Sequence, residues 1–372
     1  MKIETIAVHA GADVDSSTGA VAPPIHLSTS FEHGPASEEI HGYSYIREKN
    51  PTQSRLEEAL AQLDGGEAAA VFSSGMAAGV AILQTLPPGS NVIFPDDIYV
   101  TFRRLYRDFL PNWGIHSTTV NLQNLAGLKA AIRPNTRLVW VETPSNPLMK
   151  ISDIKTISEI AHASNVPVLV DNTFATPILQ SPIDLGADVV LYSTTKYLGG
   201  HSDVQGGALV LGKGSDLLKK LLRVRQVLGS VSSPFNSWLV LRGLRTLPCR
   251  MERHSSNANA IAAALRAVPA VEAVFYPGLP THEGHNIAKL QMRYFGGMLS
   301  FQVRGGYDRA IRVASRVKLF LNATSLGGTE SLIEHRASSE GEYSTTQPNL
   351  LRLSVGLEHP DDLIGDLLQA LE

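Results

Sequence analysis

Residues 166–171 read VPVLVD and residues 188–196 read DVVLYSTTK. Each is a short apolar run without polar alternation, and each ends in chemistry: Asp171 in one, Lys196 in the other. Similar runs stand at Asn91–Pro95 (NVIFP), Arg137–Glu142 (RLVWVE) and Gly207–Leu211 (GALVL), with a further one, AAAVFSS, ahead of Gly75. Helical spacing separates them. Ser54–Leu63 places Leu56, Leu60 and Leu63 on one side, and Ile151–Ala163 forms a second such stretch. Continuously apolar strands alternating with helices predict an α/β fold, a mostly parallel sheet flanked by helices on both faces. Ligands of such sheets sit beyond the carboxyl ends of the strands. Those ends are where the reactive residues of this chain collect.

Outward from this centre, the first fifty residues read as an irregular arm. Pro23 and Pro24 disfavour helix there, and HGYSYIREKNPT closes on a turn-like Asn50-Pro51. A large domain is expected over 51–245. One long helical section is expected from about Pro234 to Ala267, linking it to a smaller α+β domain over 246–372. That domain contains VEAVFYP, GGMLSFQV and LLRLSVGLE as strands, with helices around His285, Tyr307 and Asp361. Internal repeats and low-complexity tracts are absent from the sequence.

Composition narrows the function. Of 372 residues 43% are hydrophobic and 18% charged, which supports a folded core and opposes disorder. A net charge of −3 offers no basic field for a phosphate backbone, so no nucleic-acid partner is expected. A single cysteine, Cys249, excludes an intrachain disulfide and fits a reducing compartment. The sequence has no signal-peptide pattern at MKIETIAVHAGADVD and no long apolar run, so the expectation is a cytoplasmic protein without a membrane partner.

Several short motifs fail on context. A G-x-G-x-x-G is missing. GALVLGK at 207–213 mimics a P-loop, but Gly214 follows where Ser or Thr is needed, and the middle of the motif is apolar strand. His282-x-x-His285 has no carboxylate or cysteine cluster nearby in sequence, so no metal is expected. Ser193-Thr194-Thr195-Lys196 fits the S-x-x-K of serine penicillin-recognising enzymes, yet Ser202-Asp203 is followed by Val204 and no K-T-G occurs.

The strand ends make a different constellation. Lys196 leaves an apolar strand and precedes glycines. By itself it also reads as a surface loop lysine; desolvated, it is an amine nucleophile. Asp171 after apolar residues reads as a cap or a ligand contact. Ser74 opens a helix at Gly75-Met76, and helix N-termini bind phosphate through free amides. Ser193 and Thr195 offer hydroxyls to the same phosphate, and Tyr99, just past another strand end, offers a stacking face. One ligand has the aldehyde, basic ring nitrogen and phosphate these residues ask for: pyridoxal phosphate.

In these and further motifs the chain resembles the cystathionine γ-synthase/γ-lyase group of pyridoxal-phosphate enzymes, the Cys/Met-metabolism family. The motifs are VAPPIHLSTSF, Tyr45–Thr52 (Y-x-R-x-x-N-P-T), SSGMAA at Ser73, ETPSNP at Glu142, VDNTFATP at Val170, STTKYLGGHSD at Ser193, SLGGTESLIEH at Ser325 and LRLSVGLE at Leu351. The resemblance spans nearly the whole chain. It implies the aspartate-aminotransferase-like fold type I and assigns roles by position. Lys196 would hold the cofactor as a Schiff base and move protons. Asp171 would pair with the ring nitrogen, Tyr99 would stack, and Gly75, Met76, Ser193 and Thr195 would hold the phosphate. Tyr45 and Arg47 would reach that phosphate from a neighbouring subunit, which implies a homodimer at least and, by the resemblance, a tetramer. Asn146, Ser325 and Arg352 would bind the carboxylate of a small amino-acid substrate and the nearby cofactor oxygen. Arg352 alone reads more readily as a solvated strand residue. The implied activity is transsulfuration chemistry at the γ-carbon, by elimination or γ-replacement. Cystathionine β-lyase and methionine γ-lyase activities are the nearest alternatives, and a non-catalytic binding protein is a more distant one.

Three departures bear on substrate choice. Thr324 stands before Ser325 where members acting on cystathionine often have Glu. DDIYVTFRR lacks the glycine pair common after the tyrosine and the cysteine found in methionine γ-lyases. RASSEGEYSTTQP follows His335 in place of the usual proline and Met-Thr-His run.

Overall fold

The apolar runs pair into one sheet. Its strands are β1 (Ala68–Phe72), β2 (Asn91–Pro95), β3 (His116–Val120), β4 (Thr136–Glu142), β5 (Val168–Asp171), β6 (Val189–Tyr192) and β7 (Gly207–Leu211). Their order is β1-β7-β6-β5-β4-β2-β3. The computed structural model from which this is read describes residues 1–214 and 216–372. Four of the neighbouring pairs are parallel. β7 runs antiparallel to both β1 and β6, so the expected mostly parallel sheet has one reversed strand. Reversal of β7 leaves β1 pointing the same way as β6. The carboxyl ends of β1, β2, β4, β5 and β6 therefore open on one edge.

Side chains alternate across this sheet, and both faces are apolar. Leu138, Trp140, Leu169, Val189, Leu191 and Leu209 join one cluster with Phe72 and Phe94. Val139, Val141, Val168 and Val170 join a cluster on the opposite face with Ile154 and Ile157 of the helix Ile154–His162. Two covered faces leave no place for polar alternation, which is why these strands read as continuous apolar runs. β3 escaped the sequence reading because HSTTV has no apolar run. It is an edge strand with largely exposed side chains.

A second sheet contains β8 (Val271–Phe275), β9 (Met298–Val303), β10 (Leu321–Asn322), β11 (Leu332–His335) and β12 (Leu350–Ser354), in the order β10-β11-β12-β9-β8. Leu299, Phe301, Ile333, Leu351 and Leu353 turn one of its faces to helices Leu247–Arg266, Gly306–Arg316 and Pro360–Leu371. The intervening residues face the first sheet. Ser300 on β9 donates to the Pro147 carbonyl across 2.8 Å, and Arg352 on β12 meets Asn146.

Two expectations need correction. The arm is not wholly irregular: Ile3–His9 is helical, with Ala7 buried against the core. The section from Pro234 to Ala267 is two helices, Pro234–Leu244 and Leu247–Arg266. The second starts afresh with Pro248 in its first turn, where the missing N–H costs nothing. Among the described residues no helix is long and apolar enough to cross a membrane.

Candidate active site

A cavity of about 390 Å³ lies at the carboxyl edge of the first sheet and is closed on the other side by β11, β12 and the loop at Ser325. Gly75, Met76, Tyr99, Asn146, Asp171, Ser193, Thr195, Lys196, Ser325 and Arg352 all line it. The topology explains the convergence. Asp171 ends β5, Ser193 follows β6 and Ser74 follows β1 by two residues, so three loops meet over neighbouring strands. Tyr45 and Arg47 are not among the lining residues. Tyr45 is exposed on the arm, and Arg47 borders a separate surface depression with Lys219 and Arg223.

At the β1 end, Ser74 caps the helix Gly75–Leu83 by accepting the Ala77 amide across 3.0 Å. Gly75 has no room for a side chain: a Cβ there would come within 2.8 Å of the Ser193 Cβ. Gly207 is likewise confined, since a Cβ would stand 2.1 Å from the Ser74 carbonyl oxygen. The two glycines let the β1, β6 and β7 ends close into a cradle of backbone amides at a helix N-terminus, a setting suited to an anion. The Thr195 hydroxyl already bridges both polar groups of Gly206, accepting its amide at 3.1 Å and donating to its carbonyl at 3.2 Å.

Asp171 is buried and accepts the Thr173 amide through Oδ1 at 3.1 Å. Burial pushes its carboxyl up to about 6, against the pull of the Thr173 hydrogen bonds. Glu142 ends β4 in direct register with Asp171 and accepts the Tyr99 amide across 2.9 Å. Burial, and then the Asp171 charge, hold Glu142 well above the usual carboxylate range. Two buried acids side by side ask for a cation, and a protonated ring nitrogen beside Asp171 supplies one. Glu142 was not picked out as a site residue from sequence. Its signal was its position, since VWVE ends in an acid just as VLVD does.

Lys196 lies opposite. Its Nζ donates to the Ser325 hydroxyl at 2.6 Å. Burial and then the Arg352 charge lower its ammonium from 10.5 to about 8, with Glu334 opposing. Lys196 is thus the desolvated amine and not a surface lysine. Its partner is Ser325 rather than the Ser193 of the S-x-x-K pattern.

Arg352 is buried on β12. It donates to Asn146 Oδ1 at 3.1 Å, to the Ser325 carbonyl at 2.8 Å and to Glu334, its cross-strand neighbour. Asn146 is set in a loop fixed by Ser145, which donates to Asp97, and by Asp97 accepting the Leu148 amide at 3.2 Å. Arg336 donates to both Glu334 oxygens at 3.1 Å and to Glu340 at 2.7 Å. Glu334 and Arg336 line the cavity and were not singled out from sequence. For Glu334 the signal was the alternation of LIEH, which turns Glu334 away from Ile333 and toward Arg352.

Pyridoxal phosphate fits these residues. The glycine cradle would suit a phosphate, the paired acids would suit a ring cation, and the lowered lysine is the kind of nucleophile an aldehyde needs. Together they define the class, a pyridoxal-phosphate enzyme of fold type I. Comparison with known proteins narrows the class. The model of the family described as Cys/Met metabolism PLP-dependent enzyme matches residues 4–372, and the chain belongs to that family. The chain is 48% identical to cystathionine gamma-synthase of Mycobacterium tuberculosis, over 99% of this chain and 96% of that one. It is 46% identical to cystathionine beta-lyase of Lactococcus lactis subsp. cremoris, over 100% and 99%. The crystal structure of metB from Corynebacterium glutamicum superposes with a TM-score of 0.97 at 41% identity, covering 100% of this chain and 98% of that one.

Proposed function

We propose that this chain is a transsulfuration enzyme acting at the γ-carbon of sulfur-containing or O-acylated amino acids, by elimination or by thiol replacement. The observation that carries the proposal is the shared position of Lys196 and Arg352 around Ser325: Lys196 reaches its hydroxyl and Arg352 its carbonyl. An amine acting on the α-carbon and a guanidinium for the α-carboxylate then stand on either side of one amino acid.

In this reading Gly75 and Met76 hold the cofactor phosphate through their amides, and Ser193 and Thr195 through their hydroxyls. Asp171 takes the ring nitrogen, Tyr99 the ring face and Lys196 the aldehyde carbon. Bound there, pyridoxal phosphate supplies an electron sink for a carbanion at the substrate α-carbon. Arg352, Asn146 and Ser325 fix the carboxylate, with the guanidinium fork giving orientation as well as charge. Lys196, with its ammonium near 8, moves the protons at the α- and β-carbons close to neutral pH. Glu142 holds the Tyr99 amide and so sets where the helix Val100–Asp108 begins beside the ring.

The proposal extends to assembly and place. The arm over 1–50 carries Tyr45 and Arg47 to the phosphate of a neighbouring subunit. This requires a dimer, arranged as a tetramer of two such dimers, with a large domain over 51–245 and a small one over 246–372. The enzyme works in the cytoplasm, in keeping with its lone Cys249.

The test is a substrate panel with product identification: cystathionine, O-acyl homoserines with cysteine, methionine and homocysteine. Cystathionine formed from an acyl homoserine, or 2-oxobutyrate from a γ-substituted substrate, is expected. Pyruvate from cystathionine as the main product would replace the proposal with β-elimination. Lys196→Ala is expected to lose both the absorbance of the covalently held cofactor and turnover.

A further inference from the structure

Four buried charges form a row beside the cavity. Arg352, Glu334, Arg336 and Glu340 are each no more than 4% exposed. Glu334 is shared: Arg352 takes Oε2, while Arg336 spans both oxygens at 3.1 Å and reaches Glu340 at 2.7 Å. Glu340 is held at its far side by the Ser344 and Thr346 hydroxyls at 2.9 and 2.7 Å. The signs alternate along the row and sum to zero. The Nε groups of Arg352 and Arg336 are buried and have no hydrogen-bond partner among the described residues. Arg336 stands where the family resemblance led us to expect proline.

We propose that Arg336 is a positioning residue that keeps Arg352 available to the substrate carboxylate by drawing Glu334 to itself. The inference rests on the reading of Arg352 as the carboxylate anchor. Glu334 is an internal carboxylate already seated on Arg352, so an incoming carboxylate must share that guanidinium with it. With Arg336 present, the substrate anion extends the alternation by one step at the open end of the row. Without Arg336, Glu334 and Glu340 lose the cation they share, and Arg352 remains the ion-pair partner of Glu334. Glu334 then binds Arg352 undivided, and a third anion there meets like-charge repulsion in a region of low dielectric. Carboxylate affinity falls although Arg352, Asn146 and Ser325 themselves are unchanged.

The experiment titrates cofactor-loaded enzyme with L-alanine, which has the carboxylate and no leaving group, and with ethylamine, which lacks the carboxylate. Binding is read from the cofactor absorbance. Arg336→Met is expected to weaken L-alanine about tenfold, the size of a coupling between contacting charges, and to leave ethylamine within about twofold. In the reaction, KM rises by a similar factor and kcat changes far less. Glu334→Gln alone is expected to tighten L-alanine, and this arm holds even if Arg336→Met fails to fold. The double variant is expected to return L-alanine to near the parent affinity. Equal weakening of both probes in Arg336→Met, weaker L-alanine binding in Glu334→Gln, or no rescue in the double variant would overturn the inference. Arg352→Lys provides the separate control. If it weakens L-alanine and ethylamine alike, the carboxylate assignment of Arg352 fails, and the role of Arg336 with it.

Discussion

Lys196 Nζ and the Ser325 hydroxyl are 2.6 Å apart, and Ser325 holds that position in a left-handed backbone conformation with φ of 85°. A non-glycine residue there costs on the order of 1–3 kcal/mol and persists only where its surroundings over-determine it. Here the Arg352 guanidinium fixes the Ser325 carbonyl at 2.8 Å, and the adjoining Gly327 amide donates to Ser354 at 2.9 Å. One strained residue thus joins the first sheet's lysine to the second sheet's arginine.

That junction sets a pH dependence. With its ammonium at about 8, Lys196 is neutral in roughly one molecule in ten at pH 7, against fewer than about one in a thousand at the unshifted 10.5. Reattachment of pyridoxal phosphate to cofactor-free enzyme needs the neutral amine. Its rate is expected to climb about tenfold per pH unit below 8 and to level off above. Ser325→Ala removes an acceptor that favours the ammonium, so the midpoint should move to lower pH. Stopped-flow absorbance measures both. A rate flat from pH 6 to 9 would contradict the desolvated amine.

The cradle at Gly75 gives a steric prediction. Gly75→Ala puts a methyl 2.8 Å from the Ser193 Cβ and 3.0 Å from the Ser193 Cα, which limits the escape. The loops after β1 and β6 must separate, which spoils the set of amides proposed to hold the phosphate. Cofactor affinity is expected to drop by at least about tenfold, with the overall fold retained. Dialysis against graded pyridoxal phosphate would measure it, and unchanged retention would count against the cradle.

The sequence disclosed one side of this site far better than the other. Asp171 and Lys196 end apolar strands, where an acid or a lysine is conspicuous, and Gly75 follows a serine cap. These signals are local. Glu334 and Arg336 read as ordinary charges because their meaning lies in register: Glu334 sits opposite Arg352 across two strands, and β11 was not recognised as a strand. The reversal of β7 was hidden for the same reason. GALVL looks alike in either direction once both faces are covered, and direction depends on the connection rather than on the strand. The break between Pro234–Leu244 and Leu247–Arg266 was visible as Pro248, but the flanking helical spacing masked it.

The segment after His335 gives a third prediction. The Tyr343 ring lies under two guanidinium groups, Arg104 at 4.9 Å and Arg107 at 5.2 Å, and its hydroxyl donates to Asp108 at 2.5 Å. Arg103 donates to the Tyr343 carbonyl at 2.9 Å and Arg104 to that of Glu340 at 3.0 Å. All four partners lie on the helix Val100–Asp108, which begins beside Tyr99. Tyr343→Ala removes two partly exposed cation–π contacts and one hydrogen bond. The segment should come away from the helix more readily. Substrate KM is expected to rise several-fold with kcat less affected, and trypsin should cut sooner at Arg336 or Arg104. Unaltered KM and proteolysis would show that the strap has no bearing on the site.

A last prediction concerns a buried acid that does not line the cavity. Asp64, 1% exposed at the end of the helix Pro51–Asp64, accepts the Tyr192 hydroxyl at 2.7 Å. Tyr192 in turn accepts from Asn172 at 2.8 Å. Burial pushes the Asp64 carboxyl up to about 7, against the Tyr192 hydrogen bond. A folded-state value raised above the unfolded 3.8 means the folded chain binds this proton more tightly. The resulting stability is complete below about pH 4 and is lost progressively as pH rises through 7. A shift of about three units corresponds to at most about 4 kcal/mol. Asp64→Asn keeps an oxygen for Tyr192 and removes the titration. Whatever the offset between the two proteins at pH 5, it should move in favour of Asp64→Asn by pH 8, read as thermal midpoints at one scan rate. A constant offset across that range would mean that Asp64 does not titrate within the folded protein.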